Sequence, residues 1–304
     1  MSEVLNYLSL LEARDPALHT HLQTSISLIA SALHVYGGKN ELIFSFNGGK
    51  DSTCVLHLLR AALVMRSGSS GGGGGDGNGS GENEDEDKKC GGYGDGVLLG
   101  GVRVVYFSSS AAHDFPEVTE FMAECERLYH FRIERLGDFR GGLAQLVADG
   151  ARGVLMGTRG GDPDARLLCG PFAPTSGGWP PIMRVNPILS LSYVELWSFF
   201  RGCKISACSL YEQGYTSLGD VDTSVRNPAL RVEEGVSAVV GFVCAMHSGS
   251  AVNSGIFVSQ SGSSNPTFCL CTAGRAAGII KYLPAWELTD GDLERAGRIK
   301  REKI

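Results

Sequence analysis

The chain has 304 residues, which is enough for one large α/β domain or for a domain with appendages. Its formal net charge is −6, and residues 67–96, with seven acidic residues and two lysines, supply −5 of it; the remainder is close to neutral, which excludes the basic surface of a nucleic-acid-binding protein. The nine cysteines include no Cys-x-x-Cys pair, which indicates single thiols in a reducing compartment and excludes a zinc finger or ribbon.

The sequence shows no signal for export or for membrane insertion. Glu3, Glu12 and Asp15 give the first residues an acidic character, which is not that of a secretory or transit peptide. The longest apolar run, residues 236–246, is shorter than the roughly 20 residues that span a bilayer. These features predict a soluble, cytoplasmic protein without membrane contact.

The predicted elements alternate between helix and strand along the chain. Apolar residues recur at helical spacing through residues 1–36 and again from Val55 to Leu63. A helix opened by Pro116 is also expected. Strands are predicted at 41–46, 102–107, 131–136 and 153–158, a further helix at 191–201 and a basic helical tail at 293–304. This alternation predicts an α/β fold with a doubly wound, mostly parallel sheet, a helical N-terminal segment and an irregular or helical C-terminal extension.

Two low-complexity segments interrupt this pattern. Residues 67–96 contain 13 glycines and a run of acidic residues, so they cannot bury enough apolar surface to offset their chain entropy. They are predicted to be a disordered insertion. Residues 247–266 are rich in Ser and Gly and are predicted to be a flexible loop. The prediction is therefore a single domain over 1–304 with two interruptions.

A glycine-rich turn, SFNGGKDS at 45–52, joins the first predicted strand to its helix. It is not the common P-loop, because Phe44 stands where that motif has its first glycine and Asp51 where it has Ser or Thr. Two glycines still let the backbone approach an anion, and a helix N-terminus with Lys50 favours phosphate. The alternative is an ordinary turn in which Asp51 caps the helix.

The stretch SFNGGKDS resembles the pyrophosphate-loop motif of the ATP pyrophosphatase superfamily, in its phosphoadenylylsulfate-reductase-like branch. Asn47 before the two glycines is similar to the eukaryotic-type FAD synthases, which are FMN adenylyltransferases. Four further segments resemble that family in the same order: GTRGGDPDARLL (157–168), GWPPIMRVNPILSLSYVELWSFF (178–200), LYEQGYTSLG (210–219) and LPAWELTDGDLERAGRIK (283–300). The resemblance implies the Rossmann-like fold of the adenine nucleotide α hydrolases.

The activity that the resemblance implies is transfer of AMP from ATP to FMN, which gives FAD and pyrophosphate with Mg²⁺ as cofactor. The FMN phosphate would attack the α-phosphate in line. Its second pKa is about 6, so it is mostly dianionic at neutral pH and needs no general base. This agrees with a sequence that lacks any evident Ser-His-Asp or Cys-His arrangement. The protein would position the reactants and neutralise charge.

The resemblance also implies the residues of the site. The residues expected to bind ATP are Ser45, Asn47, Gly48, Gly49, Lys50, Asp51, Ser52, Gly157 and Arg159. Those expected to bind FMN are Asp162, Trp179, Arg184 and Arg298. Those expected to act in catalysis are Asn47, Asp51, Asp162, Arg295 and Arg298, with Asp51 near the magnesium ion. In a helical tail, the last two arginines would share one face.

Each of these roles has a simpler alternative. Arg159 and Asp162 are also typical of turn chemistry beside Gly-Gly-Asp-Pro, and the C-terminal arginines of a solvated basic tail. Trp179 is equally typical of a hydrophobic core. The chain departs from the family at Ser176, where an acid commonly stands three residues before the tryptophan; a serine can still hydrogen-bond the edge of the flavin ring.

Two other functions compete with the adenylyltransferase. A sulfonucleotide reductase, by the same resemblance, uses a cysteine near the C-terminus, and residues 272–304 contain none. A non-catalytic module would bind the nucleotide without turnover. The partners expected for the enzyme are ATP and FMN alone, without nucleic acid or membrane, and the protein is expected to be a monomer that passes FAD to apo-flavoproteins.

Overall fold

The structure of the chain is a computed structural model that describes residues 2–37, 41–69, 99–108, 113–233 and 280–299. It contains two compact units, Met1–Leu230 with Tyr282–Ile304, and Arg231–Lys281. The first unit holds the main sheet and all the helices described below. The predicted flexible loop at 247–266 lies outside the described residues, as does most of the predicted insertion at 67–96.

The described residues form six α-helices: α1 (Ser2–Arg14), α2 (Pro16–Tyr36), α3 (Lys50–Ser69), α4 (Pro116–Tyr129), α5 (Phe139–Ala148) and α6 (Tyr193–Gly202). The predicted helix at 1–36 is two helices, because Asp15 caps α2 through the Leu18 amide and Pro16 opens it. Helix α3 runs to Ser69, so residues 67–69 of the predicted insertion are helical. Among the described residues, no helix is long and apolar enough to cross a membrane.

The main sheet has six strands: β1 (Leu42–Ser45), β2 (Arg103–Phe107), β3 (Ile133–Leu136), β4 (Gly153–Leu155), β5 (Phe172–Pro174) and β6 (Met183–Val185). Their order is β3-β2-β1-β4-β6-β5, and all neighbours are parallel except β5 and β6. This confirms the predicted doubly wound, mostly parallel sheet. The sequence did not predict β5, β6 or α5. Strands β7 (Arg231–Glu233) and β8 (Ile280–Tyr282) form a two-stranded sheet of their own.

The strand order reverses direction between β1 and β4. The chain builds β1, β2 and β3 outward in one direction and then places β4 on the other side of β1. Phe44, one residue before the end of β1, is paired with Leu155 at the end of β4. Both strands therefore finish at the same edge, and in open α/β sheets such a switch point is where ligands bind.

Both faces of β1 are buried, which fixes the position of the loop that follows it. Leu42 and Phe44 pack in the larger apolar cluster with α1, α2, α3 and α6, whereas Ile43 packs in a smaller cluster with Leu143 and Leu146 of α5. Burying one such side chain stabilises the fold by about 1.5–3 kcal/mol. The strand is consequently a rigid support for the loop.

Over residues 293–299 the C-terminal segment does not form the predicted helical tail, and residues 300–304 lie outside the described residues. It contains a single-turn 3-10 helix at Gly291–Leu293, and turns follow it. The amide of Val225 donates to the carbonyl of Gly297 (2.8 Å) and the amide of Ile299 to the carbonyl of Thr223 (2.9 Å). These backbone groups are spent on pairing with residues 223–225, so they cannot build a helix. The expectation that Arg295 and Arg298 share a helix face was wrong.

Candidate active site

The loop after β1 is held in shape by its own side chains. The Oδ1 atom of Asn47 accepts hydrogen bonds from the Gly49 amide (3.1 Å) and the Ser52 hydroxyl (2.7 Å). Gly48 has a φ of 68°, and a Cβ atom there would lie 2.9 Å from Met122 of α4. Only glycine satisfies both conditions. The loop is therefore preformed, and α3 begins directly after it.

A closed ring of four charges lies where this loop meets the start of α3. The Lys50 ammonium is 2% exposed and pairs with Asp51 Oδ2 (2.9 Å) and Glu294 Oε1 (2.5 Å). Arg159 completes the ring, because its Nε lies 2.6 Å from Asp51 Oδ1 and its Nη2 binds Glu294 Oε2. Asp51 is thus inside the first helical turn and serves this ring rather than acting as an N-cap.

Each charge of the ring has two partners of opposite sign. Burial by itself would raise the pKa of the Asp51 carboxyl, but Lys50 and Arg159 outweigh it and hold that pKa below its ordinary value. Burial would lower the pKa of Lys50, but Asp51 and Glu294 raise it above its ordinary value. Removing one member of such a buried ring would leave its partners incompletely compensated, which is strongly destabilising.

The loop after β4 packs directly on the start of α3. A Cβ atom on Gly157 would lie 2.9 Å from two backbone atoms, the carbonyl carbon of Asp51 and the nitrogen of Ser52. Two residues later Arg159 enters the charge ring, and its amide donates to Asp162 Oδ2 (2.9 Å). Burial raises the pKa of Asp162 above its ordinary value. The loop after β4 therefore places Arg159 and Asp162 beside the predicted phosphate loop at 45–52.

A cavity of about 240 Å³, here called the loop cavity, lies over these two loops. The residues predicted from the sequence that line it are Ser45, Asn47, Gly49, Lys50, Asp51, Ser52, Gly157, Asp162 and Arg295. The structure therefore brings together residues separated by up to 250 positions in the chain. Asp162 and Arg295 face each other across it, with 3.7 Å between Oδ1 and Nη1.

An apolar cavity of about 600 Å³, the β6-side cavity, opens beside β4 and β6. Phe139, Leu143 and Trp179 line it with Ser176 and Arg184. The Trp179 side chain is 42% exposed, so it is not a core residue. Its ring stacks edge-on against Phe139, at 5.7 Å between centroids. Met156, Thr158, Asp162 and Arg295 line both this cavity and the loop cavity.

A polar cavity of about 670 Å³, the β2-side cavity, opens on the other side of the loop cavity. It is lined by Tyr106 and Ser108 at the end of β2 and by Asp114, whose carboxylate accepts hydrogen bonds from both hydroxyls. Asn47 and Gly49 line this cavity as well as the loop cavity. The sequence did not predict any of the residues on the β2 side.

Two of the predicted arginines are placed differently from Arg295. Arg184 lines the β6-side cavity, and its guanidinium donates to the carbonyls of Ala173 and Pro174 at 3.4 and 3.3 Å. The Arg298 guanidinium lies against Gly219, where an added Cβ atom would overlap it. Among the described residues that line the three cavities, Arg298 is absent. Burial and then the charge of Arg295 lower its pKa below the ordinary value.

Reasoning from the sequence also missed two residues in contact with Lys50. Glu294 closes the charge ring, and the Tyr211 hydroxyl accepts a hydrogen bond from the Lys50 amide (2.8 Å). Both lie in segments that carry the resemblance, and Glu294 directly precedes Arg295. An acidic residue next to a predicted phosphate-binding arginine was the signal available.

Known proteins resemble the chain in sequence and in fold. A family profile described as "Phosphoadenosine phosphosulfate reductase domain" matches residues 142–226. A "Probable FAD synthase" of Caenorhabditis elegans is 34% identical over 195 residues, which cover 63% of this chain and 32% of the relative. One of Caenorhabditis briggsae is 31% identical over 226 residues, 73% of this chain and 37% of the relative. The chain thus spans about a third of the length of these relatives.

Solved structures confirm the fold. FMN adenylyltransferase of Candida glabrata superimposes with a TM-score of 0.67 at 19% identity, over 99% of this chain and 95% of the other. Yeast FAD synthetase in complex with FAD gives a TM-score of 0.62 at 22% identity, over 98% and 96%. The similarities agree with the motifs found along the sequence, and they make the chain a relative of the eukaryotic-type FAD synthases, in the phosphoadenylylsulfate-reductase-like branch.

Proposed function

We propose that the chain transfers AMP from ATP to the phosphate of FMN and so forms FAD and pyrophosphate. The observation that carries this proposal is the arrangement of the three cavities. The loop cavity, suited to phosphates, opens on one side to an apolar cavity with an exposed tryptophan and on the other to a polar cavity. Two different ring systems can therefore meet through their phosphates at the loop.

The apolar cavity suits the flavin ring, and the polar cavity suits the adenosine. Trp179 and Phe139 offer aromatic surfaces for the isoalloxazine, and such contacts are worth about 0.5–1.5 kcal/mol. Asn47, Gly49 and Ser52 would then hold the triphosphate between the two. The Candida glabrata enzyme has been solved in complex with FMN and an ATP analogue, and with FAD and inorganic pyrophosphate. That pair of complexes supports the same assignment here.

The reaction needs placement and charge neutralisation more than proton transfer. An oxygen of the FMN phosphate dianion forms a bond to the α-phosphorus of ATP, and the bond from that phosphorus to the bridging oxygen breaks as pyrophosphate leaves. No proton has to move. Arg295 borders both the loop cavity and the β6-side cavity, so it can neutralise charge where the two phosphates meet. Asp162, beside it, fixes its position.

The donor set of the loop cavity fits a magnesium ion. Asp51 and Asp162 both line this cavity, and each keeps about a quarter of its side chain exposed. Mg²⁺ in nucleotide sites is held by one or two carboxylates together with substrate phosphates. Asp51 would hold it, and when bound the ion would neutralise charge on the triphosphate. The Lys50 ammonium, which is paired with Asp51 Oδ2, would hold the Asp51 carboxylate in place.

Chromatography of the products from FMN, ATP and Mg²⁺ tests the proposal. The expected products are FAD and pyrophosphate, and riboflavin in place of FMN should give no FAD. A nucleotide-binding module without catalysis would bind ATP and leave FMN unchanged, which would refute the proposal. FAD from riboflavin at the rate seen with FMN would refute the assignment of FMN as the acceptor.

Several expectations from the sequence stay part of the proposal. They are a cytoplasmic location, a monomer, one domain over 1–304 and transfer of FAD to apo-flavoproteins. ATP and FMN are the proposed partners. Size-exclusion chromatography with light scattering tests the monomer, and a stable dimer would contradict it.

A further inference from the structure

Glu294 is a buried carboxylate that the proposed reaction does not use directly. It is 8% exposed, and its two oxygens bind two different cations, Lys50 and Arg159. These partners precede it by 244 and 135 residues in the chain. A single side chain therefore ties the C-terminal segment to the loops after β1 and β4.

The main chain on both sides of Glu294 is also fixed. Its carbonyl accepts a hydrogen bond from the Thr216 hydroxyl (2.6 Å), and the carbonyl of Leu293 accepts one from the Asn227 side chain (2.8 Å). The Gly297 carbonyl accepts one from the Val225 amide (2.8 Å). The path of the segment is thus set by residues 216–227, and the Glu294 side chain adds its ion pairs with Lys50 and Arg159 to these contacts.

Arg295, the next residue, lines the loop cavity as Glu294 does, but it is more exposed. Its side chain is 43% exposed, and its Nη1 atom lies 3.7 Å from Asp162 Oδ1. It lines both the loop cavity and the β6-side cavity. Because the two residues share a peptide unit, a rotation at Glu294 moves the guanidinium of Arg295 relative to both cavities.

We infer that Glu294 is a positioning residue, whose ion pairs with Lys50 and Arg159 orient Arg295 toward the reacting phosphates. This inference rests on the proposed function. It differs in one respect from a purely structural role and from an effect exerted through Lys50 or Arg159: the effect of Glu294 on phosphate binding must pass through Arg295.

A double-mutant cycle tests that requirement. Glu294→Gln removes the charge, and its amide cannot accept from both cations, so kcat/KM for FAD formation should fall by about tenfold to a hundredfold. Arg295→Ala should fall at least as far. The double variant should fall no further than Arg295→Ala, because residues that act through one another are not additive. Glu287→Gln is the control, since Glu287 is half exposed in the same segment and should leave kcat/KM unchanged.

A second readout does not depend on activity. Isothermal titration calorimetry with inorganic pyrophosphate should show weaker binding in Glu294→Gln and in Arg295→Ala than in the wild type. The double variant should bind pyrophosphate as weakly as Arg295→Ala does. A structural role would lower the melting temperature of Glu294→Gln and leave the pyrophosphate affinity of the folded protein unchanged.

The outcomes separate this inference from the proposed function. Wild-type protein that binds pyrophosphate without making FAD would refute the function, and the binding cycle would still decide the role of Glu294. Losses that multiply in the double variant, or no pyrophosphate binding by the wild type, would overturn the inference. Where Glu294→Gln does not fold, Glu294→Asp takes its place in the cycle, because its shorter carboxylate cannot reach both cations. Wild-type kinetics and affinity in that variant would also overturn it.

Discussion

Gly157→Ala should damage both stability and turnover, because the loop after β4 lies against the backbone of α3. The added methyl carbon would sit 2.9 Å from the Asp51 carbonyl carbon and from the Ser52 nitrogen. Ordinary contacts of such an atom begin near 3.4 Å, so one wall has to move by about 0.5 Å. Both walls are backbone, and neither can swing aside as a side chain would.

The cost follows from that displacement. Overpacking of this kind destabilises a fold by about 1–3 kcal/mol, which corresponds to a fall in Tm of about 2–12 °C for a domain of this size. The same shift separates Arg159 from Asp51, whose atoms are now 2.6 Å apart, so turnover should fall by at least about tenfold. Thermal unfolding and the chromatographic FAD assay measure the two effects.

Gly161→Ala is the matched control for this prediction. Gly161 lies in the same loop, has no atom within 4 Å of an added Cβ and does not require a positive φ. Its Tm and turnover should stay at the wild-type values. Equal behaviour of the two alanine variants would refute the close contact between the loop after β4 and α3.

Three further predictions test other parts of the site. Asp51→Asn should lower kcat by about 10²–10³-fold in the FAD assay, and near-wild-type turnover would limit Asp51 to packing. The ionised Asp51 carboxylate also stabilises the fold at pH values above its ordinary pKa of 3.8, and this contribution is lost as pH falls through its lower folded pKa. The free energy of unfolding in urea should therefore fall less for Asp51→Asn than for the wild type over that acid range. Trp179→Ala should raise KM for FMN by up to about tenfold and leave KM for ATP unchanged, whereas equal changes in both would contradict the flavin assignment. Gly219→Ala should displace the Arg298 guanidinium and lower kcat/KM as Arg298→Ala does, by about tenfold or more, with little change in Tm; unchanged kinetics in both would place Arg298 outside the site.

The sheet around the phosphate loop could be predicted because its signals are local. The apolar run at 41–46, the two glycines and the helical spacing from Val55 to Leu63 follow one another directly, and β1 and α3 form where these patterns indicate. Strands β5 and β6 escaped prediction because each has only three residues and β5 ends in Pro174. The pairing of β6 with β4 and with β5 defines both strands, and no local pattern shows that pairing.

The candidate site was predictable where its residues lie in recognisable motifs. Lys50, Asp51 and Arg159 were named from their motifs, and the structure places them in one charge ring. Glu294 was not named, since its partners are distant in the chain and a lone glutamate has no distinctive pattern. The spacing of Arg295 and Arg298 suggested a helix, but hydrogen bonds to residues 223–225 override that local preference.

The charge ring also has a consequence for synthesis of the protein on the ribosome. Glu294 is added 244 residues after Lys50, which takes about 12–50 s at translation rates of roughly 5–20 residues per second. Until Glu294 is made, Asp51 is the carboxylate of the ring available to Lys50 and, once it has been synthesised, to Arg159. Burying a cation without full compensation costs several kcal/mol. The nascent sheet can form before Glu294 is made, but the two cations stay hydrated until it arrives. The active site is therefore expected to close last, after the rest of the first unit has folded.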